Sequence, residues 1–399
     1  MASIRRYYDE GDTRTFTGRV AALGEHGGRA AVELEETWFY PESGGQLADR
    51  GRIGGSQVLD VQVEDSGRIW HVVDTLPQGT EVDCEIDWAR RFDHMQQHTG
   101  QHILSAALEH VLQAPTLSSS LGEERCVIEV GLDTMDWRLI ERVEQALHRV
   151  LWENRELRLH WTDAQGIGRF PLRRAPKVSG RIRVVEVPDW DFSACGGTHA
   201  HRTGEVGVVK VIGWEKVRGN VRLAFLCGAR AVADHAWRVE AMLEAARRRS
   251  SSDRDLIAHL ERAVEEREAL RKRVADMGTR LIAEEARAAR SAMPLGVSAW
   301  WSERAREDVR MFAVQCLEAG APWVACGAAS PLPSLVVGRT KGSPRDLKAM
   351  LPELLTLSRG KGGGGPDLLT LAPADGEGAK AAYAWVCDRL RQLDRGLTS

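Results

Sequence analysis

The sequence predicts a mixed α+β protein built from several parts, and three observations carry that prediction. Short runs alternate apolar and polar residues up to about position 88, cut by glycine turns at Gly24 to Gly28, Gly51 to Gly55 and Pro77 to Gly79; such spacing suggests a small Gly-rich β-barrel. A helical pattern with a column of histidines then opens a region of further strands and one amphipathic helix, an α/β core. From Gly228 the composition turns to Ala, Glu and Arg, and beyond Pro294 strand and helix patterns alternate again. The expected organisation is a barrel at 1–88, a core at 89–228, a helical, coiled-coil-like arm at 229–290 and a C-terminal α/β domain at 291–399.

Within the barrel, Arg29 to Leu34 and Gln57 to Val63 read as strands. The turn Ser43-Gly44-Gly45-Gln46 has two readings, a flexible backbone that presents Gln46 or one more β-turn. The core begins with His94-Met95-Gln96-Gln97-His98-Thr99-Gly100-Gln101-His102, running into Ile103 to Leu108. Residues four apart share a helix face, so the three imidazoles form one column. At roughly 1.5 Å of rise per residue, His94 and His102 stand about 12 Å apart, and no single metal takes both. A metal must use one adjacent pair, and His98 belongs to either.

Further along, Cys195-Gly196-Gly197-Thr198-His199 offers a thiolate and an imidazole on a bendable backbone. Two helix histidines with this pair complete a tetrahedral zinc set. A zincin protease is disfavoured, because Thr99 stands where that motif needs a glutamate base. The core's other predicted elements are a strand at Cys126 to Val130, a helix around Met135 to Glu153, and strands at Ile182 to Val187, near Val206 to Ile212 and at Val221 to Leu226. A sheet backed by two helices is the economical reading. His201 reads as a surface residue or a neighbour of the ligands.

The arm's first helix ends at Arg247-Arg248-Arg249, and Ser252 with Asp255 suits a capping box for the second. That helix spaces Leu256, Leu260, Ala263, Leu270, Val274, Met277 and Leu281 as a heptad seam with Arg267 the one lapse. The seam closes either in an antiparallel hairpin or against a second chain, a homodimer. In the last domain, Met311 to Val314, Trp323 to Cys326, Leu335 to Gly338 and Leu368 to Leu371 read as buried strands. Helices are expected around Asp346 to Leu355 and Glu377 to Leu393. Lys361-Gly362-Gly363-Gly364-Gly365 is either a phosphate or RNA contact through bare amides or a plain glycine loop.

The 399 residues are 43% hydrophobic and 28% charged, with a net charge of −3. This is an ordinary globular composition that does not itself announce a nucleic-acid binder. Six basic residues from Arg169 to Arg183, among them Arg173, Arg174 and Lys177, carry no acid between them. They would either neutralise phosphates near Cys195 or form a solvated loop. No signal-peptide core is apparent and no window reaches the roughly 18 apolar residues of a membrane span. Seven scattered cysteines fit reduced thiols and a cytoplasmic protein.

Three segments together resemble one family. His98-Thr99-Gly100-Gln101-His102 and Cys195-Gly196-Gly197-Thr198-His199 look like the two zinc-ligand motifs of the alanyl-tRNA synthetase editing domain. Trp38-Phe39-Tyr40-Pro41-Glu42-Ser43-Gly44-Gly45-Gln46 resembles that family's Phe-Tyr-x-x-Ser-Gly-Gly-Gln segment. The C-terminal domain with its glycine run is similar to the one shared by alanyl-tRNA synthetases and Asp-His-His phosphoesterases, without an Asp-His-His triplet. Aminoacylation domains have no place here, so the chain resembles a freestanding trans-editing factor of the alanyl-editing family, in its long form.

The resemblance implies Zn2+ on His98, His102, Cys195 and His199, leaving His94 outside. It implies hydrolysis of mischarged Ser-tRNA(Ala), and of Gly-tRNA(Ala) as a second substrate, sparing Ala-tRNA(Ala). Gln46 would place the scissile carbonyl or attacking water, and Thr37 and Ser43 are the hydroxyls considered for reading serine. The rival readings are editing of another aminoacyl-tRNA, a non-catalytic tRNA-binding module with structural zinc, and a zinc hydrolase unrelated to RNA.

Overall fold

The computed structural model describes residues 3–175 and 180–397. They form two compact units, Met1–Arg248 and Arg249–Ser399, and both mix helix with sheet, as the α+β expectation requires.

The first unit opens with β1 (Ile4–Arg5), β2 (Thr15–His26), β3 (Arg29–Leu34), β4 (Glu36–Thr37), β5 (Gly51–Ile53), β6 (Ser56–Val63), β7 (Ile69–Val73) and β8 (Glu81–Ile86). β1 pairs with β4, and the other six close into a barrel in the order β2-β3-β7-β6-β5-β8. β8 shows why the sequence alternates: Val82, Cys84 and Ile86 are buried while Glu81, Asp83 and Glu85 face out. Inside they meet Leu34, Ile53, Val58, Val61 and Ile69. Every strand in the ring has two neighbours, so the barrel leaves no edge unpaired.

Asp87 ends the barrel and starts helix α1 (Trp88–Leu112), its carboxylate accepting the Arg90 N–H at 3.1 Å. The first half of α1 buries polar residues, from His94 through His102. Buried polar groups need partners, and for Arg91 and Gln97 these come from distant parts of the chain. Arg91 and Asp49 are both fully buried and bonded, with Arg91 Nε 3.0 Å from each Asp49 oxygen and Nη1 donating to Gly11 O at 2.6 Å. The Tyr40 N–H also donates to Asp49, at 2.6 Å. This ion pair bolts the helix to the barrel. Gln97 does the same toward the core, donating to Cys227 O and accepting from Cys227 N, both at 2.9 Å. Gly100 permits that approach, since a Cβ there would lie 2.3 Å from Cys227 Sγ.

The second half of α1 is apolar. Ile103, Leu104, Ala107 and Leu108 join one core with the elements that follow. These are β9 (Thr116–Leu121), β10 (Cys126–Val130), α2 (Trp137–Trp152), β11 (Arg158–Thr162), β12 (Ile182–Val187), β13 (Asp191–Ala194), β14 (Val209–Val217), β15 (Asn220–Cys227) and α3 (Gly228–Arg248). The four-stranded sheet runs β14-β15-β10-β9 and a second, three-stranded sheet runs β11-β12-β13. The single sheet expected from the sequence is therefore two. The strand expected near Val206 starts at Val209, because Thr203–Val206 forms a 3-10 turn.

The second unit contains α4 (Leu256–Ala292), β16 (Val297–Glu303), α5 (Arg306–Glu318), β17 (Trp323–Ser330), β18 (Ser334–Arg339), α6 (Leu351–Ser358), β19 (Lys361–Gly364), β20 (Leu368–Ala372) and α7 (Gly376–Leu397). Its sheet runs β16-β17-β18-β20-β19. Ser252 accepts the Asp255 N–H at 3.2 Å, as a capping residue would, yet α4 begins only at Leu256. Leu260, Leu270, Val274, Met277 and Leu281 of the heptad seam are exposed.

Met311 to Val314 is not a strand. It lies inside α5, whose buried residues Val309, Phe312, Ala313 and Cys316 follow helical spacing; four apolar residues in a row fit either period. The glycine run is not a free loop either, because Lys361–Gly364 is the edge strand β19, paired with β20. A Cβ on Gly362 would sit 2.8 Å from Leu371 Cα, so glycine lets the edge strand lie close.

Candidate functional site

Helical spacing places His98 and His102 one turn apart on the buried face of α1. The loop after β13 brings Cys195 and His199 against them. One ligand atom from each of the four lies within 4.8 Å of the other three. Cys195 Sγ is 3.3 Å from His98 Nε2 and 3.3 Å from His199 Nε2. A tetrahedral metal with bonds of about 2.0–2.3 Å spaces its ligand atoms at roughly 3.3–3.8 Å. The cluster can therefore hold a metal ion after a small contraction. His94 lies outside it, buried, with neither ring nitrogen hydrogen-bonded among the described residues. His201 is at the surface, 3.7 Å from Asp12.

The chemical state of the four suits ligation. Burial, and then the nearby Arg183, push His98 down to about 3. Burial, and then His98, His102 and Arg183, hold His199 well below its ordinary value. Both are neutral imidazoles with a free lone pair at pH 7. Burial opposes ionisation of Cys195, but His102, the Gly197 N–H and Arg183 outweigh it and lower the thiol.

Which nitrogen points inward is decided by groups behind the rings. His98 Nδ1 donates to Gln46 Oε1 at 2.7 Å, leaving Nε2 for the site. His199 Nδ1 lies 3.2 Å from Thr99 Oγ1, and a ring that offers Nε2 to the site donates there from Nδ1. His102 Nδ1 faces Asp191 Oδ2 at 3.8 Å, short of a hydrogen bond. Thr99 and Asp191 went unassigned in the sequence. Thr99 sits between the two helix ligands, where a short hydroxyl reaches the loop but a glutamate would not fit the same role.

Gln46 is fully buried, and its oxygen takes both His98 Nδ1 and the Thr198 N–H, at 3.2 Å. Its Nε2 donates to Thr198 Oγ1 at 2.8 Å. The structure thus places it behind His98 rather than at an ester. The turn that holds it has Gly44 at φ 59° and Gly45 at φ 86°, both left-handed as a type I′ turn needs. In the other motif, a Cβ on Gly197 would fall 2.1 Å from His98 Cε1. That glycine is required by the ring itself.

Thr37 is buried in the barrel, its hydroxyl 2.8 Å from His71 Nε2 and accepting the Phe39 N–H at 3.1 Å. Ser43 is exposed on its turn and accepts the Tyr40 hydroxyl through its carbonyl at 3.0 Å. Neither hydroxyl lines the cleft in front of the cluster. That cleft, about 750 Å³, has His98, His102 and Cys195 in its wall together with Arg5, Arg173, Arg174, Arg181 and Arg183 against one acid, Glu109. Arg173 is tied to Asp191 and Ser193. Arg174 donates to Leu117 O, and Arg181 lies 4.0 Å over the Trp161 ring. Of the basic residues expected near Cys195, Lys177 falls outside the described residues. Lys361, Gly362, Gly363, Gly364 and Gly365 belong to the second unit, at and just after its edge strand.

Residues 182–223 match the family described as the threonyl and alanyl tRNA synthetase second additional domain. The chain is 34% identical over 239 residues to the alanyl-tRNA editing protein AlaX-L of Pyrococcus horikoshii, covering 57% of this chain and 59% of that protein. It is 33% identical over 224 residues to the alanyl-tRNA editing protein Aarsd1 of Danio rerio, covering 53% of each. With the alanine–tRNA ligase of Pyrococcus furiosus it shares 35% identity over 250 residues, covering 59% of this chain and 26% of the ligase. The chain thus spans between half and three-fifths of these two editing proteins.

Proposed function

We propose, from a chain related in sequence to alanyl-tRNA editing proteins, that this protein hydrolyses the ester of mischarged tRNA(Ala). The observation that carries the reading is a four-residue His/Cys cluster, three of whose members line a cleft with five arginines and one glutamate. A cationic cleft attracts the phosphates of a tRNA end, and the ligand set delivers chemistry to the ester. Serine and glycine are the expected misacylated residues, since an alanine-sized pocket excludes neither strongly.

Zinc is the metal that a Cys/His3 set favours, and when bound it would supply Lewis acidity at a fixed point. The chain's own residues then orient and discriminate. Gln46 and Thr99 hold His98 and His199 in the tautomers that present Nε2. Arg174 and Arg181, exposed at the cleft, would bind phosphate, together with Lys177. Lys361 to Gly365 offer an RNA contact in the second unit through the outward amides of an edge strand. A serine hydroxyl is better read by a cleft hydroxyl, Thr116, Ser118, Ser119 or Ser193, than by Thr37 or Ser43. Thr116 and Ser193 are half-buried and Ser118 and Ser119 exposed, so the discrimination arises once the bound tRNA end covers the hydroxyl, and one then left unpaired by alanine costs roughly 1–3 kcal/mol. The exposed seam of α4 is suited to a second copy of the chain, which sedimentation would test. No described helix is long and apolar enough to cross a membrane, and a cytoplasmic site of action fits the substrate.

A second reading has one observation in its favour: four protein ligands make a closed shell, as structural zinc sites do. It predicts tRNA binding without turnover. Both are tested by following deacylation of Ser-tRNA(Ala), Gly-tRNA(Ala) and Ala-tRNA(Ala) with wild type and Cys195→Ala. Loss of serine or glycine only, abolished by the substitution, supports editing. Intact esters with zinc-loaded wild type would refute it and leave the binding module.

A further inference from the structure

Arg183 is a buried cation without a carboxylate. β12 carries it to the cluster, where its carbonyl accepts the Cys195 N–H at 3.0 Å. The residue is 6% exposed. Its Nη1 donates to Cys195 O at 3.1 Å and to Gly197 O at 2.8 Å. Its Nε is buried with no partner, and Nη2 has no hydrogen-bond partner among the described residues. Other arginines of this unit are served differently: the buried Arg91 has Asp49, and the half-buried Arg173 and Arg230 have Asp191 and Asp93. No acidic side chain among the described residues lies within ion-pair distance of Arg183, although it lines the cleft.

A desolvated guanidinium is costly unless an anion meets it. The contacts run to backbone carbonyls and to the Tyr8 ring, whose centroid is 5.8 Å from the guanidinium carbon, leaving one fork of the guanidinium without a hydrogen-bond acceptor. Depth separates Arg183 from the exposed arginines Arg174 and Arg181. Those are placed for phosphates; Arg183 sits beside the ligands themselves.

We propose that Arg183 is a catalytic residue of this site, its Nη2 binding the ester carbonyl oxygen while Nη1 holds the Cys195–Gly197 turn. The assignment rests on the hydrolysis proposed above. Water adds to the ester carbon and the carbonyl electron pair moves onto oxygen, where the fixed guanidinium meets the growing negative charge. On collapse the bond from carbon to the ribose oxygen breaks, and the proton lost by water ends on that oxygen. The protein contributes charge already in place, so little reorganisation is needed at the moment of reaction.

The test compares wild type, Arg183→Gln, Arg183→Lys and Arg181→Gln on seryl-tRNA(Ala), with metal content measured on each preparation. The expected result is a fall in kcat of about 10²-fold for Arg183→Gln, with KM nearly unchanged and metal retained. Arg183→Lys keeps a cation and should lie between, while Arg181→Gln should raise KM and flatten the salt dependence. A kcat equal to wild type overturns the assignment, as does a loss confined to KM, which would make Arg183 a phosphate contact. If Arg183→Gln loses its metal or its fold, the metal-loaded Arg183→Lys decides by the same kcat criterion. Wild type that hydrolyses no ester overturns the reading beneath as well. Active wild type with indifferent Arg183 variants overturns this assignment alone.

Discussion

Replacing Gln46 by alanine should weaken both the fold and metal binding, by comparable amounts. The amide lies at zero exposure, and its oxygen is the acceptor for two buried donors, His98 Nδ1 at 2.7 Å and Thr198 N at 3.2 Å. Each donor left unsatisfied costs roughly 1–3 kcal/mol. Water entering the vacated space recovers some of that, so a destabilisation of about 2–4 kcal/mol is expected. Metal binding suffers by a separate route. Without an acceptor at Nδ1, His98 is no longer held in the tautomer that offers Nε2, and loss of such an outer partner lowers metal affinity about 10–100-fold. Gln46→Glu separates the two effects, since a carboxylate still accepts from His98 and Thr198. Competition with a chelator of known affinity measures the outcome. Equal zinc affinity for wild type, Gln46→Ala and Gln46→Glu would refute the claim that Gln46 orients His98.

Other perturbations test the frame. Gly197→Ala drives a methyl to within 2.1 Å of His98 Cε1 and should abolish stoichiometric metal in the purified protein while far-UV circular dichroism stays near wild type. Arg91→Met strands the buried Asp49 carboxylate and should cost about 3–5 kcal/mol in denaturant unfolding. Arg91→Met with Asp49→Leu should recover only part, because Tyr40 N and Gly11 O also lose their partner. His71, pushed down to about 4 by burial, stays neutral in the folded protein while the unfolded chain protonates near 6.5. Its contribution is full above pH 6.5 and is lost as pH falls toward 4, by roughly 3 kcal/mol; unfolding of His71→Gln should be less acid-sensitive over that window.

The cluster was legible only in part from chemistry and spacing. A helix repeats its face every four residues, so His94–His98 and His98–His102 aligned equally well, and the resemblance to the alanyl editing motifs, not the spacing, selected the second pair that the fold brings to Cys195 and His199. Strands such as Cys126–Val130 and Ile182–Val187 were legible because β-branched runs between turn signals leave few alternatives. What the sequence hid was partnership across distance. Nothing near Arg91 announces Asp49, and nothing near Asp191 announces His102. Gln46 was expected to reach an ester because its turn reads as flexible, but Thr198, far along the chain, closes over it. Met311 to Val314 misled because a short apolar run carries no period, and Lys361–Gly364 because glycine reads as loop until a neighbouring strand is known.

The split of the ligands along the chain also orders events during synthesis. The barrel, with Gln46, and helix α1, with His98 and His102, are translated before β13 and the Cys195 turn exist. A nascent chain at that stage presents two imidazoles whose inner nitrogens face a gap, a weak half-site with an aqueous side. Only after His199 has left the ribosome can the third imidazole arrive, and α1 is not fully seated until Cys227, the partner of Gln97, has followed, so any metal capture is a late act.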